Sequence, residues 1–144
     1  MEISANETKT LAVETQLSFL SFTVDVNSKS GWTNTGLEIR EGEILRMDWY
    51  GGMWRGDVGM TNCPKHGPAG PTCDAYTAPA GYPLPGVVED SLVGRIGSEV
   101  FFVGEQIRKI AKTTGMLYLT INDTGHHDND GIITMKVSIG SQLA

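Results

Sequence analysis

The sequence predicts an all-β protein, a sandwich or barrel of short strands, and three observations carry that prediction. Apolar and polar residues alternate with period 2 wherever the chain shows any period. These runs recur roughly every ten residues, separated by Gly, Pro, Asn and Ser turn signals. No segment gives a convincing helix pattern, and the 18 glycines among 144 residues suit strand-to-strand turns and bulges.

The strands follow in order. Residues 1–15 are polar and patternless, so they read as an arm ahead of one domain over 16–144. Leu20, Phe22, Val24 and Val26 alternate with Ser21, Thr23 and Asp25, and a turn follows at Asn27–Gly31. Leu37 and Ile39 precede a tight turn at Glu41-Gly42, after which Leu45, Met47 and Trp49 alternate with Arg46 and Asp48. Residues 51–86 break the pattern, being rich in Gly and Pro with scattered aromatics. A loop so long in a compact domain is usually functional. Strand pattern resumes at Val87-Val88, Leu92–Gly97, Val100–Val103 and Gln106–Ile110. Two runs close the chain: Leu117, Leu119 and Ile121 share one face, and Ile133, Met135, Val137 and Ile139 share another.

Between those last runs lies Asn122-Asp123-Thr124-Gly125-His126-His127-Asp128-Asn129-Asp130-Gly131, with six oxygen-bearing side chains in ten residues. Oxygen donors gathered on one loop suit a hard cation such as calcium, which takes six to eight of them. The same residue types are also good turn formers, so a plain turn stays open. An EF-hand is excluded, because position 126 is His where the motif wants Asp and position 137 is Val where it wants Glu. Zinc is disfavoured: His126 and His127 are adjacent and would point to opposite faces in extended backbone. No Cys-x-x-Cys or His-Glu-x-x-His spacing occurs elsewhere.

Composition narrows the function classes. Hydrophobic residues at 40% and charged residues at 19% describe one globular domain. A net charge of -6 without a Lys/Arg stripe argues against nucleic acid. No apolar run is long enough to span a bilayer. The acidic, polar start Met1–Glu7 is unlike a signal peptide, so the expectation is a cytoplasmic or non-classically exported protein. Cys63 and Cys73 flank the Gly/Pro-rich segment 64–72, where a disulfide would pin the loop; two free thiols in a reducing compartment are the alternative.

Several segments stand in a known order. Gly31-Trp32-Thr33-Asn34-Thr35-Gly36-Leu37-Glu38-Ile39, then Glu41-Gly42-Glu43 and the strand ending at Trp49, resemble the front half of the bacterial PA-I galactophilic lectin family. Ser91–Gly97, Gly115–Asp123 and Asp128-Asn129-Asp130-Gly131 resemble its back half. The likeness covers roughly residues 20–140 and leaves the variable loop 51–86 unmatched. It implies a jelly-roll β-sandwich of two antiparallel sheets, galactose-binding-like, with one Ca2+ bridging to two vicinal hydroxyls of a galactose-like sugar.

Residue by residue, the resemblance puts the calcium carboxylate on Asp123 and the two carboxamide positions on Asp128 and Asn129. Asp128 departs from the family by being a carboxylate. Backbone carbonyl ligands are implied near Gly125 or His126, and near Gly52 or Met53. Asp123, Asp128, Asn129 and Thr124 are the implied sugar contacts in that loop. The family's His-x-x-Gln of the variable loop is absent, and His66, the only histidine there, is the candidate sugar contact from that loop.

Among the aromatics, Trp49 reads as core by its period and Trp32 as a packing anchor. Trp54, in the Gly-rich segment beside the expected calcium end, reads as the exposed aromatic wall for a sugar's apolar face. Asp130 is either a ligand or a turn former, and Arg95 a paired structural charge. A hydrolase lacks support: no Gly-x-Ser-x-Gly stands in the chain and no carboxylate pair outside the loop is recognisable. The expected partners are glycans or glycoconjugates carrying terminal galactose-like sugars, bound by a monomer or homo-oligomer, with no membrane insertion. The competing class is a calcium-stabilised structural or assembly domain that binds no sugar.

Overall fold

The computed structural model describes residues 17–56, 63–73 and 76–142. The expected arm over 1–15 lies outside them. The described residues form eight strands: β1 (Leu17–Asn27), β2 (Thr33–Ile39), β3 (Ile44–Arg55), β4 (Leu92–Ile96), β5 (Glu99–Phe102), β6 (Gln106–Ile110), β7 (Gly115–Ile121) and β8 (Asp130–Gln142). They form two four-stranded sheets, ordered β1-β8-β3-β6 and β2-β7-β4-β5. Every pairing is antiparallel. That interleaving of early and late strands is the jelly roll. No helix of the described residues is long and apolar enough to cross a membrane.

The core is the space between the sheets. Leu45, Met47, Ile133, Met135 and Val137 enter it from one side, and Ile39, Leu92, Ile96, Leu117, Leu119 and Ile121 from the other, all fully buried. Each such side chain contributes about 1.5–3 kcal/mol of burial. Their period-2 spacing is what fixes register, since a one-residue slip would turn the whole set outward.

Two departures from the alternation matter. β1 is an edge strand, and the facing sheet leaves Leu20 and Phe22 uncovered, 69% and 39% exposed, so only Val26 of that run is fully buried. In β3 the pairing with β8 shifts between Trp49 and Gly51, leaving Tyr50 as an extra residue that is 71% exposed. Such a bulge changes the phase of everything after it. Leu45, Met47 and Trp49 face inward at odd positions, but Trp54 faces inward at an even one, opposite Gly131. The expected irregular segment therefore begins five residues late, after Arg55. The expected strand at Val87-Val88 is reduced to a single bridge, Thr77 with Val88.

Close approach of β3 and β8 beyond the bulge requires glycine twice. Gly52 and Gly131 both have positive φ, 84° and 108°, and a Cβ on either would overlap the opposite strand's backbone. Both glycines sit where β3 and β8 run toward the oxygen-rich loop.

Candidate functional site

The oxygen-rich loop joins β7 to β8 at the end of the sandwich to which β3 also runs. It is fastened from below by a residue that the sequence did not single out. Ser28, buried in the turn after β1, donates its hydroxyl and its backbone N–H to the Gly131 carbonyl, at 2.9 and 3.1 Å. The Ser28 carbonyl in turn accepts from Asn129 Nδ2 at 2.9 Å. Asn129 is fully buried, and its remaining atom, Oδ1, has no hydrogen-bond partner. An orphaned buried carbonyl oxygen is costly in a protein interior and asks for an explanation such as an ion. His126 Nε2 in the same loop is likewise buried and unpartnered.

The opposite wall comes from the long loop. Residues 76–89 form a small hairpin: Ala78 N donates to Val87 O at 2.7 Å, Gly86 N to Ala78 O at 2.9 Å and Glu89 N to Tyr76 O at 2.8 Å. Asn122, fully buried at the end of β7, docks this hairpin. Its Oδ1 accepts from Leu84 N at 3.0 Å, while its Nδ2 donates to the carbonyls of Leu84 and Val88 at 3.0 and 3.2 Å. A side-chain amide replaces a strand neighbour there, and all its polar atoms are satisfied. Asp90 continues from the hairpin at a left-handed φ of 66°, its N–H donating to the Asn122 carbonyl at 2.9 Å.

Between the two walls is an open cavity of roughly 310 Å³, lined by Gly56, Tyr82, Glu89, Asp90, Asp123, Gly125, His127 and Asp128. Of the residues expected from sequence, Asp123, Gly125 and Asp128 come together here. Thr124 stands at the rim: its N–H donates to Asp123 Oδ1 at 2.7 Å, and its side chain lies near the Tyr82 hydroxyl. Burial first, and then the charges of Glu89 and Asp123, push the Tyr82 phenol above its ordinary pKa, so it stays a neutral hydroxyl at physiological pH. Among the described residues no group of three or more His, Cys, Asp or Glu side chains forms a metal-holding cluster. The lining holds the carboxylates of Glu89, Asp90, Asp123 and Asp128, while Asn129, with its orphaned carboxamide oxygen, lies behind it in the same loop.

Three expectations are corrected. Gly52 and Met53 do not line the cavity: they pair with Ile133 and Ile132 inside the β3–β8 ladder, and the Gly52 carbonyl accepts from Trp49 Nε1 at 3.0 Å. The end of β3 that reaches the cavity is Gly56, whose backbone packs against the Asp90 carboxylate. Trp54 is fully buried rather than exposed, because the bulge at Tyr50 turned it inward, and its indole N–H donates to the Asp90 carbonyl at 2.9 Å. It is a post for the site and no sugar platform. His66 is buried as well, bridging the Trp54 backbone in both directions at 3.0 and 2.9 Å. The His126 carbonyl, an implied ligand, accepts from Asn129 N at 3.2 Å and keeps its second lone pair.

Asp130 belongs to β8 and not to the cavity. It forms an ion pair with Lys65 at 3.1 Å, and the Lys65 hydrogen bond and charge hold its carboxyl below the usual range. Cys63 and Cys73 are bridged, so the 64–72 segment is a closed ring fastened to β3 through His66 and to β8 through Lys65. Arg95 lies between the rings of Trp32 and Tyr118, 5.0 and 4.1 Å from their centroids, which accounts for a charge within an apolar strand.

The residues that sequence reasoning missed are Ser28, Gly56, Tyr82, Glu89, Asp90 and the positioning role of Asn122. The only signal was indirect: a long loop beside the candidate ligands had to put something there.

No family model matches the chain, and no curated protein matches it significantly. A solved structure does, the EclA N-terminal domain, described as a PllA-like lectin. It is 24% identical, with a TM-score of 0.62, and the match covers 87% of this chain and 98% of that one. The chain therefore shares its fold with a lectin domain along nearly the whole length of that domain.

Proposed function

We propose that this chain is a calcium-dependent carbohydrate-binding domain that takes galactose or a related galactoside. One observation carries the reading: the β7–β8 loop brings Asp123, Gly125 and Asp128 to one open cavity while burying Asn129 Oδ1 without a partner. Asp123, Asp128 and Asn129 would hold the ion, with carbonyl oxygens from Gly125 and Gly56. Calcium in such a site supplies a Lewis-acidic centre with positions left over for two vicinal hydroxyls. The chain's own carboxylates then accept hydrogen bonds from those hydroxyls, and charge-assisted bonds are about twice as strong as neutral ones. Support for the sugar class comes from the motif likeness to the PA-I galactophilic family, and from the lectin description of the similar solved structure. Terminal galactose-like residues on glycoconjugates are the corresponding partners.

A glycan array probed with and without chelator tests this. Calcium-dependent retention on galactose-terminated glycans supports the reading. A protein that chelator destabilises but that retains no glycan would instead be a structural domain in which the ion only staples the loop.

A further inference from the structure

The hairpin wall of the cavity has a charge pattern that goes beyond holding an ion. Glu89 and Asp90 stand at the base of the hairpin and Tyr82 near its tip, facing Asp123 and Asp128 of the other wall. Four carboxylates thus line one cavity, and among the described residues no Lys or Arg lines it. A divalent ion held by the β7–β8 loop would balance Asp123 and Asp128, so Glu89 would keep a negative charge on the hairpin side. Ionised carboxylates only accept hydrogen bonds. Glu89 is also placed firmly, since its backbone N–H is tied to Tyr76 O and its side chain lies against the Tyr82 hydroxyl.

We propose that this hairpin wall sorts glycans by charge, admitting neutral and amino sugars and rejecting sulfated or carboxylated ones, with Glu89 as the specificity-determining residue. The proposal rests on the carbohydrate-binding reading of the cavity and adds the ligand class to it. A hydroxyl or ammonium group offers donors to a wall of acceptors. A sulfate or carboxylate brings a like charge into a partly enclosed site, where screening by salt is weaker than in bulk water.

The test is calorimetric titration of the whole chain in excess calcium with galactose, galactosamine and galactose 6-sulfate. Galactosamine is expected to bind at least as well as galactose, and the 6-sulfate about tenfold more weakly through like-charge repulsion. Glu89→Gln keeps the side chain's volume and removes its charge. It should shrink the affinity ratio of galactosamine to 6-sulfate by about threefold or more. Glu41→Gln removes the same charge from the exposed turn at the far end of β3, so it controls for net charge and should leave that ratio unchanged. A wild-type protein that binds the 6-sulfate as well as galactose overturns the inference alone, and so does a ratio that Glu89→Gln leaves intact. Absence of binding by all three sugars overturns both the inference and the function on which it rests.

Discussion

Trp54 Nε1 donates to the carbonyl oxygen of Asp90 at 2.9 Å, joining the end of β3 to the cavity wall across 36 positions of sequence. The bond explains how Asp90 keeps a left-handed backbone in the wall, where Gly56 presses on its carboxylate. Trp54→Phe keeps the ring in the core but removes that hydrogen bond. The expected cost is about 1–3 kcal/mol in urea denaturation, together with weaker ligand binding. Unchanged stability would show that the indole N–H carries no share of the site's framework.

Asn122 makes three hydrogen bonds to the hairpin, and Asn122→Ala removes all of them at once. About 2–4 kcal/mol of destabilisation is expected, since each bond is worth roughly 1 kcal/mol and the abandoned backbone groups cost more. Hydrogen exchange gives the sharper reading: the Leu84 amide should lose protection while amides of β8 change only with global stability. Equal protection of Leu84 in both proteins would mean the hairpin holds itself.

The proposed calcium site should separate two aspartates that look alike in the sequence. Asp123→Ala should lower calcium affinity by about a hundredfold, the scale of losing one charged ligand. Asp130→Ala should change it little, because Asp130 is engaged with Lys65 outside the cavity. In the wild type, calcium at about 100 times its Kd should add about 2.7 kcal/mol of stability, seen as a fall in Tm when chelator is added. Equal calcium affinity in the two variants would place the ion elsewhere.

The disulfide should matter for stability. Bridging Cys63 to Cys73 closes a ring with a sequence separation of 10, for which chain entropy suggests about 2–3 kcal/mol. A Cys63→Ser, Cys73→Ser double variant should lose about that much by denaturant titration. It should also become open to proteolysis between the two positions. A variant as stable as the parent would leave the ring to its contacts with Trp54 and Asp130.

His66 makes a pH prediction whose sign follows from burial. Burial lowers its pKa below 6.5, outweighing the opposite effect of its Nδ1–H bond to the Gly67 carbonyl at 2.8 Å. The unfolded chain therefore takes up its proton first as pH falls. Stability from the neutral ring is complete above the unfolded value and is lost as pH drops below it toward the lower folded value. Tm should fall more steeply between about pH 7 and pH 5 in the wild type than in His66→Gln. Parallel curves would mean that His66 does not titrate between the two states.

The legible parts of the fold were those governed by local period. The alternations at Leu45–Trp49, Leu117–Ile121 and Ile133–Ile139 each became an inward-facing strand segment, because a two-sheet sandwich buries one face of each strand. Trp54 was misplaced because a bulge leaves no trace in composition, yet it reverses the face of every residue after Tyr50. Leu20 and Phe22 alternate as faultlessly as the core runs, but alternation cannot tell an edge strand from a central one. At the site, the Asp123 and Asp128 wall was readable because both residues sit on one short loop. The Tyr82, Glu89 and Asp90 wall was not. It is placed by the Asn122 carboxamide, 38 positions from Leu84, while the loop opposite is fastened by a turn residue, Ser28, whose partner Gly131 lies 103 positions away.

The hairpin at 76–89 separates two jobs that most binding loops combine. Its rungs and the Asn122 dock engage backbone atoms of Ala78, Leu84, Gly86, Val87, Val88 and Glu89, so its path does not depend on the side chains at its tip. Pro79, Pro83 and Pro85 stiffen that path further. The tip is thus a replaceable cassette on a fixed frame, as complementarity-determining loops are on antibodies. Randomising Ala80 and Tyr82 while keeping the prolines, the glycines and Asn122 would make a library in which binding preference varies and folding does not.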